Sequence, residues 1–238
     1  MWMLGNSLSA IMSLLFPRVC PVCDKPLGEG ERDICTLCRN DIPLTGFICE
    51  ADNLMEQRFW GYLPIERAAA LFWFVEGSGW RKLIHDFKYA QHWYTAEMMG
   101  RWMGIEMKRS GRFDDIDLIV PIPLHWRKRL ARGYNQSEYI ARGLAQHLAV
   151  PCDFSAVRRT HYNKSQTRKR RTERWGNVSG IFGVRHPEHL RGRHILLVDD
   201  VFTTGATISS CAEAIIEACD GDVRISVATL AASRRALE

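Results

Sequence analysis

The apolar positions of the chain fall into two regimes, one before about residue 67 and one after it. In the later part, residues 68–75 and 118–120 predict strands, as do stretches near 153–158, 179–184, 194–198 and 223–231. Between them the apolar residues recur with helical period. Trp80, Leu83, Ile84 and Phe87 share one face, and a helix over 93–107 carries Met and Trp residues as a core-facing stripe. Ile140, Leu144 and Leu148 mark a third helix, and 207–219 reads as a fourth. Strands that alternate with helices predict an α/β fold, a parallel sheet with right-handed crossovers and helices on its faces. The earlier part divides into a short apolar helix (1–19), a polar module rich in cysteine (20–50) and a connector (51–66) whose Phe59, Trp60 and Tyr62 are placed to pack the two regimes together.

One stretch in the later part carries chemistry. At 195–198, Ile-Leu-Leu-Val predicts a strand buried on both faces, and Asp199-Asp200 closes it where open α/β sheets hold their ligands. Thr203-Thr204-Gly205-Ala206-Thr207 then leads straight into a helix. Such a loop aims backbone N–H groups and hydroxyls at a phosphate, and the helix start adds partial positive charge. A side chain at Gly205 would take the phosphate's place. Two acceptor-only carboxylates suit the neighbouring hydroxyls of a ribose, so the pair of features points to a ribose 5-phosphate. The whole stretch resembles the signature of the type I phosphoribosyltransferases, with every position filled.

Composition is that of a globular protein with room for one good-sized core and a small module. Net charge is only +5, yet residues 125–174 hold thirteen Lys/Arg against three acids. A basic middle on an acidic body implies a polyanionic ligand. Eight cysteines and the lack of a secretory pattern favour a reducing, cytoplasmic setting, and residues 1–19 lack the features of a signal peptide or a spanning helix. Cys20-x-x-Cys23 and Cys35-x-x-Cys38, eleven residues apart, have the spacing of a four-thiolate Zn²⁺ site. The metal would contribute ~10–16 kcal/mol of folding free energy to so small a module. Cys152, Cys211 and Cys219 read as packing residues.

Two basic segments complete the picture. Residues 121–132, with Pro123, Leu124, His125, Arg127 and Arg132, follow a strand end, and Gly133 and Asn135 fit a tight turn beside a ligand. The run 158–174 holds eight basic residues and one acid between two strands, and loops of that length are functional or disordered. Its Gln166, Arg168, Lys169, Arg170, Arg171 and Arg174 suit either a departing pyrophosphate or a nucleic-acid backbone. Trp126, Tyr134 and Tyr162 supply rings near these charges.

The cysteine module, Val-Pro-Ile-Pro-Leu-His at 120–125, Arg-Gly-Tyr-Asn-Gln-Ser at 132–137 and Val-Asp-Asp-Val-Phe-Thr-Thr-Gly at 198–205 occur in an order that resembles the ComF family. These are bacterial competence-associated proteins with a zinc ribbon ahead of a phosphoribosyltransferase domain, here 67–238. The resemblance implies phosphoribosyl pyrophosphate (PRPP) with Mg²⁺ as ligand. It places pyrophosphate on the 121–132 loop and makes the 158–174 loop a mobile hood. It also implies single-stranded DNA and competence-machinery proteins as partners. Many members carry a further cysteine pair, where this chain has Cys49 with Asp52, so one zinc is expected. An amidophosphoribosyltransferase assignment lacks its glutaminase domain, for which residues 1–65 leave no room.

Two functions follow from this reading. In one, Asp199 and Asp200 hold the ribose and stabilise positive charge on the ring while a nucleophile displaces pyrophosphate. In the other, the fold senses PRPP or a nucleotide without catalysis, and the zinc module and basic loop grip single-stranded DNA.

Overall fold

The structure is a computed structural model that describes residues 17–87, 93–160 and 181–237. Most of the apolar segment 1–19 and positions 161–174 of the hood, Tyr162 included, lie outside those residues. Among the described residues no helix is long and apolar enough to cross a membrane.

The core is a four-stranded, wholly parallel sheet. Strands β1 (Ile65–Trp73), β2 (Leu118–Pro121), β5 (His194–Phe202) and β6 (Arg224–Ala232) lie in the order β1-β6-β5-β2. The central pair is almost continuously apolar and buried, as a sheet covered on both faces requires. Two expected strands depart from the parallel pattern. Near 153–158 and 179–184 the chain forms β3 (Val157–Arg159) and β4 (Phe182–Val184), an antiparallel pair outside the main sheet. Too few apolar residues flank them to fill a two-sided strand. The backbone of 151–153 bonds to β2, through Ile119 N–H to Pro151 O and Asp153 N–H to Ile119 O.

Helices α1 (Thr36–Asn40) and α2 (Leu54–Gln57) belong to the first 66 residues, and α3 (Gly79–Asp86) and α4 (Trp93–Ser110) follow β1. Next come α5 (Trp126–Arg132), α6 (Gln136–Leu148), α7 (Ala206–Ala218) and the short α8 (Arg234–Leu237). The α4 and α6 backbones nearly touch. A Cβ at Gly100 would stand 2.2 Å from Ile140 O, and one at Gly143 would stand 2.2 Å from Glu97 O. Glycine is therefore needed on both helices. Met99, Met103 and Met107 line the buried face of α4, as the sequence predicted.

The cysteine module is not a loose appendage. Thr45 Oγ1 donates to Ala70 O, Trp73 N–H donates to Pro43 O, and residue 44 bridges Phe72, so the module's end runs along the outer edge of β1. Arg112 clamps the same segment by donating to Phe47 O and Glu50 O and pairing with buried Glu56 at 2.8 Å. Gly79 opens α3 so tightly against the first cysteine knuckle that a Cβ there would lie 2.1 Å from Val22 O. In the connector, Phe59 packs edge-on to Phe202 at 5.8 Å, while Trp60 and Tyr62 are exposed.

Candidate functional site

β5 does not stop at Val198, as its apolar run suggested. It pairs with β6 through Phe202, so Asp199 and Asp200 sit within the strand, both half-buried. Each carboxylate has a partner at the start of α6. Ser137 Oγ donates to Asp199 Oδ1 at 2.9 Å, and Gln136 Nε2 donates to Asp200 Oδ2 at 3.0 Å. Backbone N–H groups of Asp200 and Val201 complete the set. Burial, and then the charge of Asp200, push the Asp199 carboxyl up to about 7, despite the hydrogen bonds that favour its anion. Two acids this close resist ionising together.

The start of α6 is itself built by the 121–137 segment. Asn135 caps the helix through Ser137 N–H and donates to Ile122 O at 3.0 Å, which ties the helix to the strand end after β2. Gly133 ends α5 with φ +81°, a left-handed cap that suits glycine. The sequence reading treated 121–132 as a loop, but Trp126–Arg132 is helical. Ile122, Pro123, Leu124 and His125 connect it to the strand. His125 is buried and caps α5 through its Nδ1. Burial and the cations Arg127, Arg159 and Lys128 hold its pKa below the usual value. Arg127 lies over the exposed Trp126 ring, and Arg132 Nη1 donates to Gln136 Oε1 at 3.2 Å. Tyr134 is half-buried rather than exposed, because its hydroxyl donates to Phe87 O.

After β5, Asp199, Thr203, Gly205, Ala206 and Thr207 line one small open depression. Thr203 and Thr204 are exposed, and the N-cap of α7 is Gly205, which has no side chain; Thr204 Oγ1 accepts from Ala206 N–H at 3.5 Å. The next N–H groups of the first turn have no acceptor within the helix and are open to solvent or a ligand. Gly205 has φ +75°, and a Cβ there would meet the Phe202 ring at 3.0 Å. Backbone conformation and the Phe202 ring therefore favour glycine here independently of any ligand.

Gln136, Ser137 and Arg159 are the site residues that the sequence reading did not single out. The first two follow directly on the Gly133–Asn135 turn, a helix start aimed at the sheet end. The charge of Arg159, on β3, acts on both Asp199 and His125. Its Nε is buried without a hydrogen-bond partner among the described residues.

At the other site, the sulfurs of Cys20, Cys23, Cys35 and Cys38 all lie within 4.8 Å of one another. Tetrahedral Zn–S bonds of ~2.3 Å would place sulfurs ~3.8 Å apart. Cys23 Sγ and Cys35 Sγ stand at 3.7 Å. Backbone N–H groups of Cys35 and Cys38 point at Cys20 Sγ and Cys35 Sγ, each at 3.5 Å. Burial acts to raise the Cys20 thiol, but N–H donors from Cys35, Val22 and Cys23 bring it down to about 7. The donor set fits Zn²⁺ held by thiolates. It is the only such metal-ligating group among the described residues, and Cys49 is exposed. Cys211 and Cys219 are buried, and burial pushes half-buried Cys152 up to about 11, so these thiols pack rather than react.

Comparison with known proteins bears on both sites. The double zinc ribbon domain family matches residues 11–52, and the phosphoribosyl transferase domain family matches residues 135–238. The zinc ribbon match supports zinc as the ion for the four sulfurs. DNA utilization protein YhgH of Escherichia coli is 27% identical over 225 residues, covering 85% of this chain and 92% of its own length. Competence protein F of Haemophilus influenzae is 27% identical over 131 residues, 53% of this chain and 57% of its own. Competence protein ComFC of Bacillus subtilis is 33% identical over 202 residues, 84% of this chain and 78% of its own. With both modules matched in order and a relative this similar across most of both chains, the protein belongs to the ComF family of competence-associated proteins, a zinc ribbon joined to a phosphoribosyltransferase-type domain.

Proposed function

We propose that the protein binds PRPP with Mg²⁺ at the end of β5, transfers or holds its 5-phosphoribosyl group, and serves single-stranded DNA handling in competence. The observation that carries this reading is the start of α7 after Thr203–Gly205, met only by the long Ala206 N–H to Thr204 Oγ1 contact of 3.5 Å, on the same depression as Asp199. In this reading Thr203, Thr204, Thr207 and the first N–H groups of α7 take the 5-phosphate. Asp199 and Asp200 accept from the ribose hydroxyls, while Gln136 and Ser137 hold the two carboxylates in place. Pro123, Leu124, His125, Arg127 and Arg132 border the pyrophosphate. The hood, with Gln166, Arg168, Lys169, Arg170, Arg171 and Arg174, covers it. The oxygen donors of the acid pair suit Mg²⁺, which when bound with the phosphates would neutralise charge on the leaving pyrophosphate.

Calorimetry with PRPP and Mg²⁺ tests the reading. Asp199→Asn with Asp200→Asn keeps the shape but replaces charge-assisted hydrogen bonds with neutral ones, so affinity should fall ~10- to 1,000-fold. Wild-type protein that ignores PRPP, or a double variant that binds it as tightly, would overturn it. A screen of acceptors for pyrophosphate release then separates transfer from binding alone. One Zn²⁺ per chain, held by Cys20, Cys23, Cys35 and Cys38, is part of the same proposal.

A further inference from the structure

The turn between β5 and α7 rests on a ring. The three atoms nearest to a Cβ at Gly205 all belong to Phe202, at 3.0, 3.1 and 4.0 Å. Thr203 and Thr204 on the turn itself are exposed, whereas Phe202 is buried, so the ring supports the turn from the protein side. The Phe202 backbone is fixed by its register with Ala232 and by Ser233 N–H, which donates to Phe202 O at 2.9 Å. The ring takes its orientation from side-chain packing instead.

That packing reaches back into the connector. Phe59 is buried and stands edge-on to Phe202, with centroids 5.8 Å apart and ring planes at 71°. Ring quadrupoles favour this geometry, so the pair fixes orientation as well as position. Phe59 is held in turn by a polar anchor. Asn53 caps α2 through Met55 and Glu56 N–H and donates to Ala68 O at 3.0 Å. Glu56 Oε1 accepts from Ala68 N–H at 3.2 Å and pairs with Arg112 at 2.8 Å. Phe59 N–H donates to Glu56 O at 3.0 Å. Asn53 and Glu56 are both buried, and breaking their hydrogen bonds would strand polar groups away from water.

A continuous line of contacts thus runs from β1 through α2 and Phe59 to Phe202 and Gly205. Filling the core would ask only for apolar volume at position 59. An oriented ring on a fixed anchor, pressed against the ring beneath an exposed turn, does more: it sets where the hydroxyls and N–H groups of that turn point. We infer that Phe59 is a positioning residue for the phosphate turn, so that the connector completes the PRPP site from outside the phosphoribosyltransferase-type domain. This role rests on the PRPP reading above and adds regulation to it. Whatever displaces the connector weakens PRPP binding and, by reciprocity, bound PRPP holds the connector in place.

The test uses the full zinc-loaded chain, with calorimetry against PRPP and Mg²⁺ and the amide resonance of Gly205 in the ligand-free protein. In Phe59→Ala the Phe202 ring is released, so the Gly205 resonance should shift and PRPP affinity should fall roughly 5- to 150-fold, the usual range for coupled sites. Phe59→Leu keeps most of the volume without the ring, and should give a smaller shift and an affinity between those of Phe59→Ala and wild type. Met107→Ala is the control for lost core packing alone. Met107 is buried near the end of α4, beyond Gly104 and its contacts with Leu144 and His147. This variant should lose stability yet leave Gly205 and PRPP affinity at wild-type values. An unmoved Gly205 resonance in both Phe59 variants, wild-type affinity in Phe59→Ala, or an equal loss of affinity in Met107→Ala would overturn the role of Phe59 while the PRPP reading stands. A wild-type protein that ignores PRPP would overturn both.

Discussion

Asp199→Asn should stabilise the protein, and the gain should depend on pH. In the folded protein this carboxyl is raised from its ordinary 3.8 to about 7, so the native state binds its proton more tightly than the unfolded chain does. That contribution favours the fold below pH ~4 and is lost as pH rises through about 7. Full ionisation of such a group at pH 8 corresponds to ~4 kcal/mol of strain at 1.36 kcal/mol per pH unit. Half-burial and coupling to Asp200 reduce what one substitution releases, so the expected gain is ~1–3 kcal/mol at pH 8 and near zero at pH 4. Asparagine can keep both geometric roles, because its Oδ1 accepts from Ser137 Oγ and Asp200 N–H as the carboxylate does. Urea unfolding of wild type and variant at pH 4, 6 and 8 measures the difference. Ser137→Ala is the control with the opposite sign, since it removes a hydrogen bond that favours the anion. A variant less stable than wild type at pH 8, or a gain that does not change with pH, would refute the reasoning. A confirmed gain would mean that the fold tolerates a destabilising acid pair where a ligand is expected.

Two further outcomes follow from packing and metal chemistry. Cys23→Ser should release the zinc, read by metal analysis of the purified chain, and should lower the unfolding midpoint, because the first knuckle is seated on Gly79 of α3; retained zinc would show that other residues hold it. Gly143→Ala should cost ~1–3 kcal/mol despite a helix-propensity gain of ~1 kcal/mol, because its Cβ would sit 2.2 Å from Glu97 O and 2.6 Å from Arg101 N. A more stable variant in thermal unfolding would mean that α4 and α6 can move apart freely.

The sequence alone determined the features set by local order. Four apolar residues before two acids read as a buried strand, and the glycine-centred hydroxyl loop after them reads as the turn into a helix. The Cys20–Cys38 spacing placed four thiolates for one ion because each knuckle closes over two residues, independent of the rest of the chain. Helical period marked α4 and α6, and the methionine stripe of α4 lies where that period put it. What the sequence did not determine were relations between distant segments. The scarcity of apolar residues around β3 and β4 is a local signal, but their antiparallel pairing depends on which partner is free. β5 runs on to Phe202 because β6 offers ladder partners through Ala232, although the acids end its apolar pattern. The basic segment 126–132 became a helix because buried His125 caps one end and left-handed Gly133 closes the other. Only the folded chain brings Gln136 and Ser137 to carboxylates more than sixty positions away, through contacts that local order does not encode.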